Sequence, residues 1–248
     1  MVRTKDGIKV DTTQKRVRAY AGGDLVFDTT NALLVWEIPH YPTYYIPENE
    51  VLAGLVASGD TEESERGTGE VLDLKLSSST VERAALRYPD SPIERIRGYI
   101  RFQWDALDEW LEEDEPVYTH ARDPYKRIDI LASSRHVEIV IDGVKVADST
   151  KPTILFETGL PPRYYLPIGD VQFDLMRPSK KRTWCPYKGK AGYFSIEVNG
   201  KLHEDVVWIY RTPLPESQKI TGLVCFYNEK VDLYVDGKLE SRPKTKFS

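Results

Sequence analysis

The sequence predicts a mainly β chain made of two tandem copies of one small domain, each built from two antiparallel sheets. Three observations predict it. Displaced by 120 positions, residues 17–51 fall on 137–171 without a gap. The register keeps Gly23/Gly143, Asp28/Asp148, Glu37/Glu157, Pro42/Pro162, Tyr44/Tyr164, Tyr45/Tyr165 and Pro47/Pro167 together, which marks a duplication. Residues 98–111 then fall on 222–235 with slightly more displacement, so small insertions separate the two blocks. Finally, short alternating runs end in Asp142-Gly143, Asn199-Gly200 and Asp236-Gly237, pairs that favour the tight turn joining right-twisted strands.

Taken in order, the second copy reads as strand, turn and strand across 136–147, with further strand-like runs at 153–157, 163–166, 192–198, 206–210, 222–227 and 231–235. So many short strands in so few residues mean a small sandwich or partly open barrel. In the first copy, residues 105–114 look helical by propensity, but their repeat partner is a strand, and tertiary context overrides propensity. Residues 57–69 are polar and read as a mobile surface loop, and the basic run 177–182 as a solvated loop. Domain bounds follow: residues 1–118 for the first copy, 119–134 for an ordered segment between the copies, and 135–248 for the second copy.

Composition excludes several classes. The 248 residues, 40% hydrophobic and 29% charged, are ordinary globular material. No apolar run approaches the roughly 20 residues of a spanning helix, and the first residues carry no apolar signal core, so neither membrane nor export is expected. The net charge of −5 argues against nucleic acid, whose partners carry a basic footprint. Two cysteines, Cys185 and Cys225, fit a reducing, cytoplasmic compartment and cannot build a four-thiolate zinc site. Metal and cofactor are both expected to be absent. Asp170 and Asp174 lie four apart on a strand-like run, about 13 Å from each other, too far to share a metal.

At the residue level the chain resembles a known family. The strings 156–167 (Phe-Glu-Thr-Gly-Leu-Pro-Pro-Arg-Tyr-Tyr-Leu-Pro), 183–189 (Thr-Trp-Cys-Pro-Tyr-Lys-Gly) and 205–210 (Asp-Val-Val-Trp-Ile-Tyr) are similar to the domain-of-unknown-function 427 family, in its two-domain form. The resemblance implies a β-tent fold, in which two antiparallel sheets meet at an angle and ligands sit in the opening. The family is catalogued under a nucleotidyltransferase-type name. This sequence lacks the Gly-Ser and Asp-x-Asp carboxylates that hold metal at a nucleotide's phosphates, and it has no Gly-rich phosphate loop.

The contrast between the copies selects the candidate site. Cys185-Pro186-Tyr187-Lys188-Gly189 meets Glu63-Ser64-Glu65-Arg66-Gly67, which keeps only a basic side chain and the glycine. A fold needs its strands in both copies, whereas a site needs its residues in one. Cys185 and Lys188 are therefore the candidate catalytic groups. Glu157, Arg163, Tyr164, Tyr165, Tyr187, Trp208 and Tyr210 are the candidate ligand-binding groups. Aromatics supply stacking, and Lys188 or Arg163 an anchor for carboxylate or phosphate. The first expectation is a module binding a small polar or anionic metabolite in the second copy. Two others compete with it: a metal-independent enzyme using Cys185 or Lys188, and a scaffold for another protein. Cys225 lies in an apolar strand and reads as core; His203 follows a turn and reads as exposed.

Overall fold

The structure, a computed structural model, describes residues 2–3, 7–245 and 247–248. The chain divides into two compact units, residues 1–123 and 124–248. Each holds a large and a small antiparallel sheet. In the first unit the large sheet runs Val2–Arg3, Lys9–Thr12, Leu33–Ile38, Tyr41–Pro47, Tyr99–Phe102, Thr80–Arg87, Gly67–Lys75, Gly54–Ser64. The small sheet runs Glu115–Pro116, Glu109–Glu112, Val17–Ala21, Asp24–Thr29.

The second unit repeats this order. Its large sheet runs Ile128–Ala132, Thr153–Glu157, Arg163–Leu166, Val224–Phe226, Lys201–Tyr210, Gly189–Val198, Met176–Cys185. Its small sheet runs Val144–Ser149, Val137–Ile141, Asp232–Val235, Lys238–Leu239. Residues 119–123 thus belong with the first unit, while Ile128–Ala132 is the edge strand of the second large sheet.

Strand alternation sends every second side chain to the opposite face, and each large sheet buries both. Between the sheets of the second unit, Ile139, Val146, Tyr164, Leu166, Val207 and Phe226 form one core. On the other face of the large sheet lies a second core that includes Leu155, Tyr165, Tyr193, Trp208, Tyr210 and Cys225. A strap after Tyr210, with the 3₁₀ turn Pro215–Ile220, covers this face. It is fastened by Leu214 N–H to the Lys188 carbonyl (3.2 Å) and by the Ser217 hydroxyl to the Tyr187 carbonyl (3.1 Å). The first unit has the same two layers, its outer one built on Val35, Tyr45, Leu86 and Tyr88 and covered by Ile93 and Ile96.

Some sequence expectations need correction. Residues 57–69 are no loop but most of a hairpin between Gly54–Ser64 and Gly67–Lys75; backbone pairing holds it, and Arg83 bridges Asp60 and Glu62 across its face. The basic run 177–182 lies within the strand Met176–Cys185. Polar strands of this kind escape an apolar pattern because their stability comes from the ladder. Asp170 and Asp174 lie on two separate 3₁₀ turns, Ile168–Asp170 and Phe173–Leu175, rather than on a strand. His203 is half-buried and contacts Asp142 through Nε2 at 3.0 Å. The helix-like run 105–114 does contain the strand Glu109–Glu112, as the repeat requires.

Candidate functional site

The string 185–189 is the tip of a hairpin in which Cys185 pairs with Gly189. Gly189 has φ +90°, and a Cβ there would lie 3.5 Å from the Thr212 carbonyl oxygen and the Leu214 nitrogen of the strap. That approach is ordinary contact, but a positive φ of this size favours glycine, and Gly189 supplies it. Gly67, at φ +96° beside Pro92, does the same in the first unit. The shared glycine is therefore a requirement of the turn.

Behind the turn Lys188 is buried, and its Nζ lies 2.5 Å from Glu157 Oε2. Burial alone would lower the Lys188 ammonium's pKa, but the neighbouring Cys185 sulfur and the Glu157 carboxylate outweigh it and the net shift is upward. The pair is not peculiar to this copy. Arg66 occupies the matching hairpin position and meets Glu37, the partner of Glu157 in the repeat, at 2.8 Å. Glu37 also accepts from Arg101 Nε (3.2 Å) and from the Tyr45 hydroxyl (2.8 Å).

Seven of the nine predicted residues gather on this outer face: Cys185, Lys188, Glu157, Arg163, Tyr165, Trp208 and Tyr210. Trp208 Nε1 donates to the Tyr165 hydroxyl at 3.0 Å. Arg163 makes a bidentate pair with Glu229 at 2.8 and 2.7 Å, and the Thr245 hydroxyl donates to the same carboxylate. Burial holds the Tyr165 and Tyr210 phenols well above their ordinary values, and it raises the fully buried Cys225 thiol too. Tyr164 points to the inter-sheet core, because it neighbours Tyr165 along the strand. Tyr187 is buried in the turn itself. The cluster is thus a packed and internally paired layer, with Cys185 at its half-buried margin.

An open cleft lies elsewhere. Beside a bulge between Pro178 and Arg182, a cavity of about 300 Å³ is lined by Arg182, Lys190, Gly192, Tyr193, Arg211 and neighbouring residues. Bulges next to a cleft re-aim side chains: Arg182 folds back to donate to the Ser179 and Lys181 carbonyls (2.9 and 2.6 Å). No carboxylate lines the cleft, and among the described residues none of its three cations is ion-paired. Among the described residues, Tyr193 alone belongs both to this cleft and to the buried cluster. The first unit fills the equivalent corner. Glu70 stands where the second unit has Gly192, and Arg87, in the place of Ile209, pairs with it at 2.7 Å.

Sequence reasoning missed this cleft because Arg182, Lys190 and Arg211 have no motif spacing. One usable signal was Gly192 inside a strand, since an interior glycine marks a close approach or an opening. A separate group, His136, Glu138 and Asp148, brings ligand-type atoms within 4.8 Å of one another. The Lys145 ammonium already sits against both carboxylates there, at 2.5 and 2.7 Å. Among the described residues no helix is long and apolar enough to cross a membrane.

Two tandem copies of a two-sheet domain, alike in strand order apart from the added edge strand Val2–Arg3 of the first, define a duplicated mainly β protein. The family model described as "Domain of unknown function (DUF427)" matches residues 9–113 and 129–237. The chain belongs to that family, as a two-domain member. No curated protein matches the chain significantly.

Proposed function

We propose that this chain is a binding module for a small anionic metabolite and that the second unit holds it in the cleft at Arg182, Lys190 and Arg211. One observation carries the reading: three cations without carboxylate partners surround a cavity of about 300 Å³. Two guanidiniums, planar forks matched to carboxylate or phosphate, and one ammonium suit a compact anion. Gly192 puts no side chain into the floor, so the Arg182 guanidinium lies over its backbone, 3.9 Å from where a Cβ would sit. The net charge of −5 disfavours a long polyanion such as nucleic acid, whose binding needs an extended basic face. Two unbridged thiols suit action in a reducing cytoplasmic setting.

Isothermal titration of the full chain with inorganic pyrophosphate and with citrate tests this. Binding is expected for at least one of them, with thermal stabilisation of about 2.7 kcal/mol at a hundredfold excess over Kd. Arg182→Ala with Arg211→Ala should abolish it while leaving the ligand-free melting temperature in place. If neither anion binds, or the double variant binds as tightly as the parent, the reading fails.

A second reading, a metal-independent thiol enzyme, draws support from Cys185, half-buried next to the Lys188 ammonium. That ammonium is already paired with Glu157. Iodoacetamide labelling separates the two: the enzyme reading requires Cys185 to react faster than a simple thiol at neutral pH, and sluggish labelling removes it.

A further inference from the structure

The first unit contains a cleft of its own, of about 340 Å³, on the side of its large sheet where Tyr41–Pro47 and Tyr99–Phe102 run together. Its walls are aromatic. The Trp104 and Trp110 rings stack at 4.6 Å and 5° from parallel, and those of Tyr41 and His120 at 3.9 Å and 12°. Trp110 Nε1 donates to the Trp104 carbonyl at 3.1 Å, which fixes the pair. Trp104 is half-buried and Asp105 beside it is exposed.

The internal repeat shows what this corner lacks. Residue for residue, Asp105 stands where the second unit has Glu229, and Thr43 stands where it has Arg163. In the second unit the Arg163 guanidinium closes on Glu229 and lies 5.6 Å from the Trp208 ring centroid. In the first unit the carboxylate is kept and the guanidinium is gone, since threonine is too short to replace it. Among the described residues Asp105 has no cationic partner. Arg101, the cation lining this cleft, is committed to Glu37 through Nε (3.2 Å) and Nη2 (3.3 Å), and its Nη1 donates to Gln103.

We infer that the cleft of the first unit binds a small planar organic cation, an amidinium, guanidinium or aromatic ammonium, which takes the place against Asp105 that Arg163 fills against Glu229. The carboxylate supplies the charge and hydrogen-bond acceptors. The half-buried Trp104 ring, backed by Trp110, and the Tyr41 ring supply cation–π attraction and apolar contact. The site is independent of the anion cleft: it lies in the other unit and has the opposite charge preference.

Benzamidine tests the inference, with neutral benzamide and anionic benzoate of the same shape as controls, titrated into the full chain and followed by calorimetry and tryptophan fluorescence. Saturable benzamidine binding is expected, with benzamide about fivefold weaker and benzoate weaker still. Asp105→Asn should erase the preference for benzamidine over benzamide. Thr43→Arg should block benzamidine by supplying the missing guanidinium, with a melting temperature no lower than the parent's. Because Asp105 is exposed, its variant reports on binding rather than folding. Equal affinity for benzamidine and benzamide, tighter binding of benzoate, or no benzamidine binding into the millimolar range would each overturn the inference.

Discussion

In the second unit Arg163 closes on Glu229 while the corner at Gly192 stays open and basic. In the first unit Arg87 closes on Glu70 while the corner at Asp105 stays open and aromatic. The strands that carry these four corners match one for one. A duplicated domain therefore has two places where it can be filled or left hollow, and each copy has filled the one that its sister left hollow. The filling device is the same in both, a guanidinium on a carboxylate. The fold tolerates either state because backbone pairing, not the corner, holds the strands.

The largest expected effect separates buried pairing from exposed pairing. Glu229→Ala leaves Arg163 charged and buried without a partner, which typically costs about 3–5 kcal/mol. Asp105→Ala, at the matching exposed position, should stay within about 0.5 kcal/mol of the parent. Chemical denaturation measures both, and equal losses would break the comparison.

Next comes the hairpin tip. Lys188→Ala strands Glu157 among buried tyrosines and should cost about 3 kcal/mol. Arg66→Ala leaves Glu37 its Arg101 and Tyr45 partners and should cost about 1 kcal/mol. Replacing Lys188 and Glu157 together with methionine should recover most of the loss, because shape is kept and no charge is stranded.

A smaller effect belongs to the strand behind that tip. A Cβ on Gly69 would lie 2.7 Å from the Tyr88 ring, whereas the second unit carries Ala191 at the matching position. Gly69→Ala is expected to cost about 1–3 kcal/mol by overpacking. Ala191→Gly should cost under about 1 kcal/mol. A melting series on both variants checks the order.

Acid stability gives the gentlest contrast. Burial pulls the Glu229 carboxyl upward, but the Arg163 guanidinium and Thr245 hydroxyl outweigh it, and the net shift is downward. A carboxyl lowered by folding stabilises the native state above its unfolded pKa, and that stabilisation is lost as pH falls through the folded value. The second unit should therefore lose stability below about pH 4, and Glu229→Gln should flatten that slope. An unchanged slope would remove Glu229 from the acid response.

Much of the fold was legible in the sequence because duplication places two readings of each strand side by side. The register of residues 17–51 on 137–171 located the paired tyrosines, and that of 98–111 on 222–235 marked the helix-like run 105–114 as strand, which Glu109–Glu112 is. The polar hairpin through residues 57–69 was hidden, since ladder hydrogen bonds leave no mark on side-chain chemistry. The candidate site was legible as a cluster but not as a site. Glu157, Lys188, Tyr165 and Trp208 do meet, yet they meet as a filled layer. Sequence contrast shows which residues differ between copies, and it does not show which of them surround empty space. The hollow at Gly192 exists because a side chain is missing, and the charge on Asp105 matters because Thr43 is short. Both substitutions can be read in the sequence, but what they leave empty shows only when the neighbouring strands are in place.

Backbone-resolved NMR titration of the full chain with pyrophosphate and, separately, with benzamidine tests the reciprocal arrangement most directly. The account predicts that pyrophosphate shifts resonances around Arg182, Lys190 and Arg211 and leaves those around Trp104 and Asp105 in place, and that benzamidine does the reverse. Perturbation of one common set of residues by both probes, or of neither cleft by either probe, would contradict it.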